Sequence, residues 1–338
     1  MISRDNYLMT RRHMDYRRHV VQNDEQTIHR SSQTLRHLLQ WADAHPLNKA
    51  PSLVPTFPEY IITARNDDRE EPLAPASIDK ILQHARFFFE WARKHEPSMR
   101  NISEAWIETL RPRRSVGSQS RLKKREYWSI EAVRKITALQ PETMRERRDI
   151  AAVAFLFLSG MRIGAFVTLP LSCVDIARRR ILQLPEHGVQ TKNDKAAVTF
   201  LLPIPDLMAI VQDWHDFLCK RPNSETMAFY PPLYKDDGHP EIPRTKILNG
   251  LLTGNYTGRV FSFQKGLREL CDRAGVPFLS AHKLRHGHGV YGVKKSKDIA
   301  QLKAISQNLM HANIGITDGI YGKLAEEDLA DILSNFGD

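Results

Sequence analysis

The stretch AHKLRHGHGVYGV, residues 281–293, carries three histidines, a lysine and an arginine within seven positions. His282 and His286 are four residues apart, so both would lie on the same face of a helix. Such a group suits two kinds of site. It could bind a metal ion through its imidazoles, or it could bind a phosphate group through its positive charges. The rest of the sequence favours one of these sites over the other.

The metal interpretation lacks further ligands. No HExxH motif and no nearby acidic residue accompanies the histidines, and Lys283 and Arg285 add positive charge that opposes a cation. The chain has three cysteines, which are far apart and form no CxxC pair, so neither a cysteine zinc site nor a disulfide framework is predicted. We therefore expect no metal and no cofactor. The cysteines are Cys173, Cys219 and Cys271.

Length and charge set the broad class. A chain of 338 residues is longer than one compact domain usually is, which predicts two domains. Its 49 Lys and Arg against 39 Asp and Glu give a net charge of +10, which favours a polyanionic partner. Nucleic acid is favoured over a membrane surface, because the basic residues do not lie opposite an apolar helix face. No segment approaches the roughly 20 apolar residues of a membrane span, and we expect a soluble intracellular protein.

The first 110 residues predict helices and no strands. After a basic leader, residues 1–22, apolar residues recur at helical spacing in four segments and indicate an all-helical DNA-binding domain, residues 23–110. The four segments are residues 24–45, 56–65, 74–97 and 102–110.

A basic segment, residues 111–127, follows and predicts a linker between the two domains. It could be a solvated linker or one that lies along a phosphate backbone, and the overall charge favours the second. The predicted DNA-binding residues of this segment are Arg111, Arg113, Arg114, Arg121, Lys123, Lys124 and Arg125.

Residues 128–338 predict a mixed domain. Helical patterns surround two strand patterns, residues 178–184 and 196–202, which flank a segment with turn residues. The expected fold class is mainly α with a small antiparallel sheet: an all-helical N-terminal domain and a mixed α/β catalytic domain, arranged as a two-domain clamp.

Five short motifs occur in this second domain, in the order SGMRIG, QTKNDK, HKLRH, NLMHAN and DGIYGKL. Their order and spacing resemble those of the tyrosine recombinase (phage integrase) family. The resemblance covers residues 128–338, and the helical domain with its linker matches the family's core-binding half more loosely. Carried over residue by residue, the implied catalytic residues are Arg162, Lys192, His282, Arg285, His311 and Tyr321.

These residue types fit the chemistry of phosphodiester cleavage. Two guanidiniums, Arg162 and Arg285, can hold the phosphate oxygens on which charge accumulates, so no metal is needed. Tyr321 would be the nucleophile and His282 its proton acceptor. Lys192 would protonate the leaving 5′-oxygen, and His311 would donate a hydrogen bond to the scissile phosphate. A 3′-phosphotyrosine would keep the energy of the broken bond, and accordingly the chain has no GxxxxGK[ST] loop for ATP.

Some positions have competitors within the chain. Lys195 competes with Lys192 in the same turn, and Tyr291 competes with Tyr321, although we expect Tyr291 to pack inside a helix. His286 is expected to support the site, and His288 to be solvated or hydrogen-bonded.

Three departures from the family pattern stand out. Ala165 occupies a position that is usually acidic, so the support for Arg162 must come from elsewhere. Met310 stands where a glycine is usual. Gly287 and Gly289 follow the second arginine and would weaken a helix start.

The resemblance implies a site-specific DNA recombinase, acting in integration, excision or transposition of a mobile element or a related strand exchange. Its partners would be duplex DNA with specific sites, three further copies in a tetramer that passes through a Holliday junction, and an accessory directionality protein where one is needed. A C-terminal helix, residues 324–336, would dock in a neighbouring protomer. Such a protein is expected in the cytoplasm, associated with the nucleoid, and encoded by a bacterium, phage or mobile element. The alternatives are a type IB topoisomerase and a DNA-binding regulator that has the fold without the chemistry.

Overall fold

A computed structural model of the chain describes most of its residues. The described residues are 2–63, 72–111, 126–236, 239–243, 256–311, 313, 315 and 317.

The chain divides into two units, Met1–Lys124 and Arg125–Asp338. The division lies within the segment that the sequence predicts as a basic linker. Of the predicted DNA-binding residues, Arg111 is described: its side chain is exposed and forms an ion pair with Glu108 at 3.4 Å. The others, which lie outside the described residues, are Arg113, Arg114, Arg121, Lys123, Lys124 and Arg125.

The N-terminal unit is helical throughout its described residues. Asp24 caps its second helix, because its carboxylate accepts a hydrogen bond from the backbone N–H of Thr27 at 2.8 Å. Its fourth helix has Pro75 in the first turn, where the missing N–H of proline removes no helical hydrogen bond. The apolar faces of these helices form one core. The helices are α1 (Arg4–His19), α2 (Glu25–Ala42), α3 (Phe57–Thr63), α4 (Pro75–His95) and α5 (Glu104–Thr109).

The prediction of a basic leader at residues 1–22 is wrong, because most of that segment is helix α1. Met9 and Met14 are buried in the core of the N-terminal unit. The amide of Asn6, also buried, donates to the carbonyl of His45 at 2.8 Å and accepts from the backbone N–H of Leu47 at 3.0 Å. Arg4, Arg11 and Arg12 are exposed, and Arg17 donates to the hydroxyl of Ser31 in α2 at 2.7 Å. The number of arginines in α1 concealed its narrow buried face.

The C-terminal unit is built around one central helix, α7. Its apolar run is buried on all sides, and the helix ends at Gly160, whose φ of 61° is left-handed and therefore suits glycine. A Cβ at Gly160 would also lie 2.7 Å from the ring of His288. The helices of this unit are α6 (Ile130–Thr137), α7 (Met144–Ser159), α8 (Ile163–Val167), α9 (Pro205–Cys219), α10 (Tyr256–Ala274), α11 (His282–Lys295) and α12 (Ile299–Asn308).

A three-stranded antiparallel sheet, in the order β1-β2-β3, accompanies these helices. The sequence predicts β2 (Arg180–Gln183) and β3 (Ala197–Phe200) but misses the two-residue β1 (Val174–Asp175). It also misses a second antiparallel pair, β4 (Leu233–Asp236) and β5 (His239–Pro243), which lies in a stretch rich in turn residues. The expected class, mainly α with a small antiparallel sheet, is confirmed.

Helix α11 runs through the glycines that were expected to weaken it. A Cβ at Gly287 would lie 2.1 Å from the backbone oxygen of Trp128, so glycine permits the chain before α6 to lie against α11. The backbone N–H of Trp128 donates to the carbonyl of Lys283 at 3.3 Å. Tertiary packing therefore outweighs the low helix propensity of glycine here. In the described part of the chain, no helix is both long and apolar enough to cross a bilayer.

Candidate active site

Arg285 joins three elements of the C-terminal unit. It lies in the first turn of α11 with its side chain only 4% exposed. Its Nη1 donates a hydrogen bond to the carbonyl of Gly160 at 2.6 Å, and its Nη2 donates to the carbonyl of Leu309. Gly160 ends α7 and Leu309 follows α12. These two bonds fix the plane and position of a buried positive charge at the meeting point of α7, α11 and α12.

Arg162 follows two residues after the carbonyl that Arg285 binds. It occupies the position before α8, with extended backbone angles, and its side chain is half-buried. Its charge lowers the pKa of both His282 and His311, which places Arg162 near both rings. Ala165, at the position where the resemblance implies an acidic residue, is buried in the core. The described structure therefore provides no carboxylate at that position to support Arg162.

His282 begins α11 and has an exposed side chain. Its pKa lies below the usual value, first because neighbouring atoms displace part of its hydration, and then because Arg285, Arg162 and Lys283 are positively charged. Its ring meets that of His286 edge-on, with 4.8 Å between centroids. At neutral pH the imidazole of His282 is therefore uncharged and able to accept a proton.

His311 lies two residues after Leu309, whose carbonyl Arg285 binds. Desolvation, together with the charges of Arg285 and Arg162, lowers its pKa to about 4. Its Nδ1 lies 2.8 Å from the hydroxyl oxygen of Thr317. His311 is thus a neutral imidazole with one ring nitrogen already engaged. The structure brings Arg162, His282, Arg285 and His311 into one electrostatically coupled cluster.

Lys192 lies on an exposed turn, Lys192–Asp194, in the loop between β2 and β3. Among the described contacts, neither Lys192 nor the equally exposed Lys195 has a hydrogen bond or ion pair, so both remain candidates for the family's hairpin lysine. Asn308 holds the end of this hairpin: its Oδ1 accepts from the backbone N–H of Phe200 at 2.7 Å and its Nδ2 donates to the carbonyl of Phe200 at 2.9 Å. The hairpin is thereby attached three residues before His311.

Tyr321 and the predicted helix 324–336 lie outside the described residues. The competing tyrosine, Tyr291, is half-buried and packs edge-on against Phe157 with 5.9 Å between centroids, as expected for a residue inside a helix. Within the described ranges, no group of three or more His, Cys, Asp or Glu side chains is arranged to hold a metal ion.

Sequence reasoning missed three groups that contribute to the site. The carbonyls of Gly160 and Leu309 orient Arg285, but main-chain groups leave no mark in a sequence. Thr317 orients His311, and its signal was a lone hydroxyl between the last histidine and the proposed tyrosine. That signal is weak, because a single threonine forms no pattern.

No family model matches the sequence, and no curated protein matches it either. Solved structures do match in fold. The chain is similar to the Tn1549 transposon integrase in complex with transposon right end DNA, with a TM-score of 0.60, 13% identity and 100% of both chains covered. A second structure of that integrase, in complex with circular intermediate DNA, gives a TM-score of 0.57 at 14% identity over 97% of this chain and 98% of that one. A lambda integrase dimer bound to a COC′ core site gives 0.61 at 13% identity, over 93% of this chain and 94% of that one. The chain has the fold of the tyrosine recombinases.

Proposed function

We propose that this chain, which has the fold of tyrosine recombinases, is a site-specific recombinase that cleaves and rejoins DNA through a 3′-phosphotyrosine. The observation that carries the proposal is the cluster of two arginines, Arg162 and Arg285, with two neutral histidines, His282 and His311. On this fold, that combination of fixed positive charge and uncharged imidazoles suits a phosphodiester in the act of being cleaved.

The arginines would stabilise the transition state. Charge accumulates on the non-bridging oxygens of a phosphate under attack, and a guanidinium that is already held in place needs no reorganisation to receive it. The carbonyls of Gly160 and Leu309 hold Arg285 in this way. Arg162 adds a second charge that reaches both histidines. Because the two arginines supply the positive field, the reaction would need no metal ion.

The proton transfers would fall to the remaining residues. The Tyr321 oxygen attacks the phosphorus as His282 accepts its proton, the bond to the 5′-oxygen breaks, and Lys192 or Lys195 protonates that oxygen. The product is a tyrosine linked to the 3′-phosphate and a free 5′-hydroxyl. Attack by a 5′-hydroxyl on the same phosphorus reverses each transfer and restores Tyr321, so rejoining would need no ATP.

The DNA partner follows from charge. A net charge of +10 favours a phosphate backbone, and the basic segment between the two units would add contacts that salt weakens. Strand exchange would require four copies on two sites, with helix 324–336 docking in a neighbouring copy. We also propose that an accessory protein sets the direction of the reaction, that a mobile element encodes the chain and that it acts in the cytoplasm.

The test is a suicide substrate. The protein is incubated with nicked duplexes from its native genetic neighbourhood in the presence of EDTA, and covalent adducts are separated in SDS. Wild type should form an adduct and Tyr321→Phe should not. Tyr291→Phe is the matched control, because Tyr291 packs against Phe157, and it should retain the adduct. An adduct that persists in Tyr321→Phe would show that the nucleophile is another residue.

One observation favours a second candidate. Ala165 stands where the resemblance implies an acidic residue. A DNA-binding regulator without catalysis would tolerate the loss of that carboxylate. Binding of those duplexes without any wild-type adduct would favour the regulator. Relaxation of supercoiled plasmid without exchange of partners would instead favour a type IB topoisomerase.

A further inference from the structure

We propose that Thr317 is a positioning residue that fixes the tautomer of His311, so that Nε2 carries the proton that is donated to the scissile phosphate. The role in catalysis rests on the function proposed above, whereas the tautomer itself is a property of the free protein.

The Thr317 hydroxyl faces the ring of His311. The side chain of Thr317 is fully buried. Among the contacts of the described residues, its hydroxyl has one hydrogen-bond partner, the Nδ1 of His311 at 2.8 Å. A buried hydroxyl that does not donate leaves its proton unpaired, which is unfavourable. The favoured arrangement therefore has Thr317 donating and Nδ1 accepting.

The tautomer of His311 follows from this donation. A neutral imidazole has one protonated nitrogen and one accepting nitrogen. The imidazole of His311 is neutral at pH 7, because desolvation and the charges of Arg285 and Arg162 lower its pKa to about 4. Since Nδ1 accepts from Thr317, the proton must lie on Nε2.

The chain contains an opposite case in His288. This ring is fully buried and also neutral at pH 7, but its Nδ1 lies 2.8 Å from the carbonyl oxygen of Phe157. A carbonyl only accepts, so His288 must carry its proton on Nδ1. We therefore expect opposite tautomers for the two residues, because Nδ1 of His311 meets a hydroxyl and Nδ1 of His288 meets a carbonyl.

The tautomer decides whether His311 can assist the reaction. Phosphate oxygens are acceptors, so an Nε2–H attracts them, whereas an Nε2 lone pair would repel them. Replacing the hydroxyl of Thr317 by a methyl group removes the donor and lets His311 populate both tautomers. In metal sites, loss of a group that orients a ligating histidine costs about 10- to 100-fold in activity, and we expect an effect of that size here.

The first readout is the tautomer, measured by two-dimensional NMR of protein labelled with ¹⁵N-histidine. His311→Gln identifies the His311 signals. Wild type should show His311 protonated on Nε2, and at least one buried ring, that of His288, protonated on Nδ1. Thr317→Val should mix the tautomers of His311 alone, and Thr317→Ser should restore the wild-type pattern. A wild-type His311 protonated on Nδ1 would overturn the proposal.

The second readout is the rate of adduct formation on the suicide substrate. Thr317→Val should slow it about 10- to 100-fold and Thr317→Ser should return it close to wild type. Equal rates in all three proteins would contradict the role in catalysis. If wild type forms no adduct, the proposed function fails while the NMR result stands by itself. If Thr317→Val does not fold, the wild-type tautomer still decides the matter, because a proton on Nδ1 of His311 overturns the proposal.

Discussion

His288 and His311 share a pKa of about 4 but lie in opposite surroundings. His288 is enclosed by the core, where burial is the largest cause of its lowered pKa and the charge of Arg285 adds to it. Its Nδ1–H donates a hydrogen bond to the carbonyl of Phe157. His311 is half-buried at the site, where Arg162 and Arg285 add to the effect of burial. A neutral imidazole is therefore a packing element in one region and a candidate hydrogen-bond donor to substrate in the other. What its nitrogens meet, and not its pKa, distinguishes the two.

Helix α11 contains both kinds of residue, those of the site and those of the core. Its first turn presents His282 and Arg285 to the site. The next turn packs Gly287 and His288 into the core, against Trp128 and α7. Substitutions in the first turn should affect cleavage more than stability, and substitutions in the next turn should do the reverse.

The largest effect is expected from Arg285→Lys. A lysine keeps the charge but cannot bind the carbonyls of Gly160 and Leu309 with a planar fork, so the charge would lose its position. Loss of a preorganised donor costs about 100- to 1,000-fold in rate, and we expect a decrease of that size in adduct formation. Arg178→Lys, at an exposed arginine of the same unit, should leave the rate unchanged. Equal rates in the two variants would remove Arg285 from the mechanism.

Gly287→Ala tests the packing of α11 against Trp128. A Cβ 2.1 Å from the backbone oxygen of Trp128 forces a backbone shift, for which we expect a loss of about 3 kcal/mol in the free energy of unfolding. Gly292→Ala is the matched control: its Cβ would meet the side chain of Ile305, which can move, so the loss should be smaller. Urea denaturation measures both. A Gly287→Ala protein as stable as wild type would mean that α11 does not pack as described.

Acid should destabilise the core through His288. Its pKa is about 4 in the folded protein and about 6.5 when unfolded, so the unfolded chain takes up a proton first as the pH falls. The free energy of unfolding is unaffected by this group above pH 6.5 and decreases below it. By pH 4 the decrease due to His288 reaches about 3 kcal/mol. Urea denaturation between pH 7 and pH 4.5 should show a shallower decline for His288→Gln. Parallel curves for the two proteins would exclude His288 as the cause.

The smallest effect is expected from Asn308→Ala, which removes both hydrogen bonds between α12 and Phe200 of β3. The bonds are exposed, so we expect a loss of about 1 kcal/mol in the free energy of unfolding. If the hairpin carries the catalytic lysine, adduct formation should also slow. A slower rate with unchanged DNA binding would link the hairpin to the chemistry, and an unchanged rate would separate them.

Sequence pattern predicted the helices well, because apolar spacing and capping residues act locally, as at Asp24 and Pro75. It also indicated four residues that the structure brings together: Arg162, His282, Arg285 and His311. Their catalytic roles, and those of Lys192 and Tyr321, stay predictions.

The failures have physical reasons. The apolar face of α1 is formed by few residues, among them Met9 and Met14, within a strongly basic segment. The glycines of α11 are explained by a contact with Trp128, which is distant in sequence. Thr317 matters through a tautomer, which depends on the atom its hydroxyl faces and not on sequence spacing.

The most direct test of the central claim identifies the amino acid that becomes bonded to DNA. The adduct formed in EDTA is digested with trypsin and nuclease, and the peptide that retains a nucleotide is sequenced by mass spectrometry. The account predicts a single modified peptide with a 3′-phosphate on Tyr321. A nucleotide on any other residue, or cleavage without a covalent peptide, would contradict it.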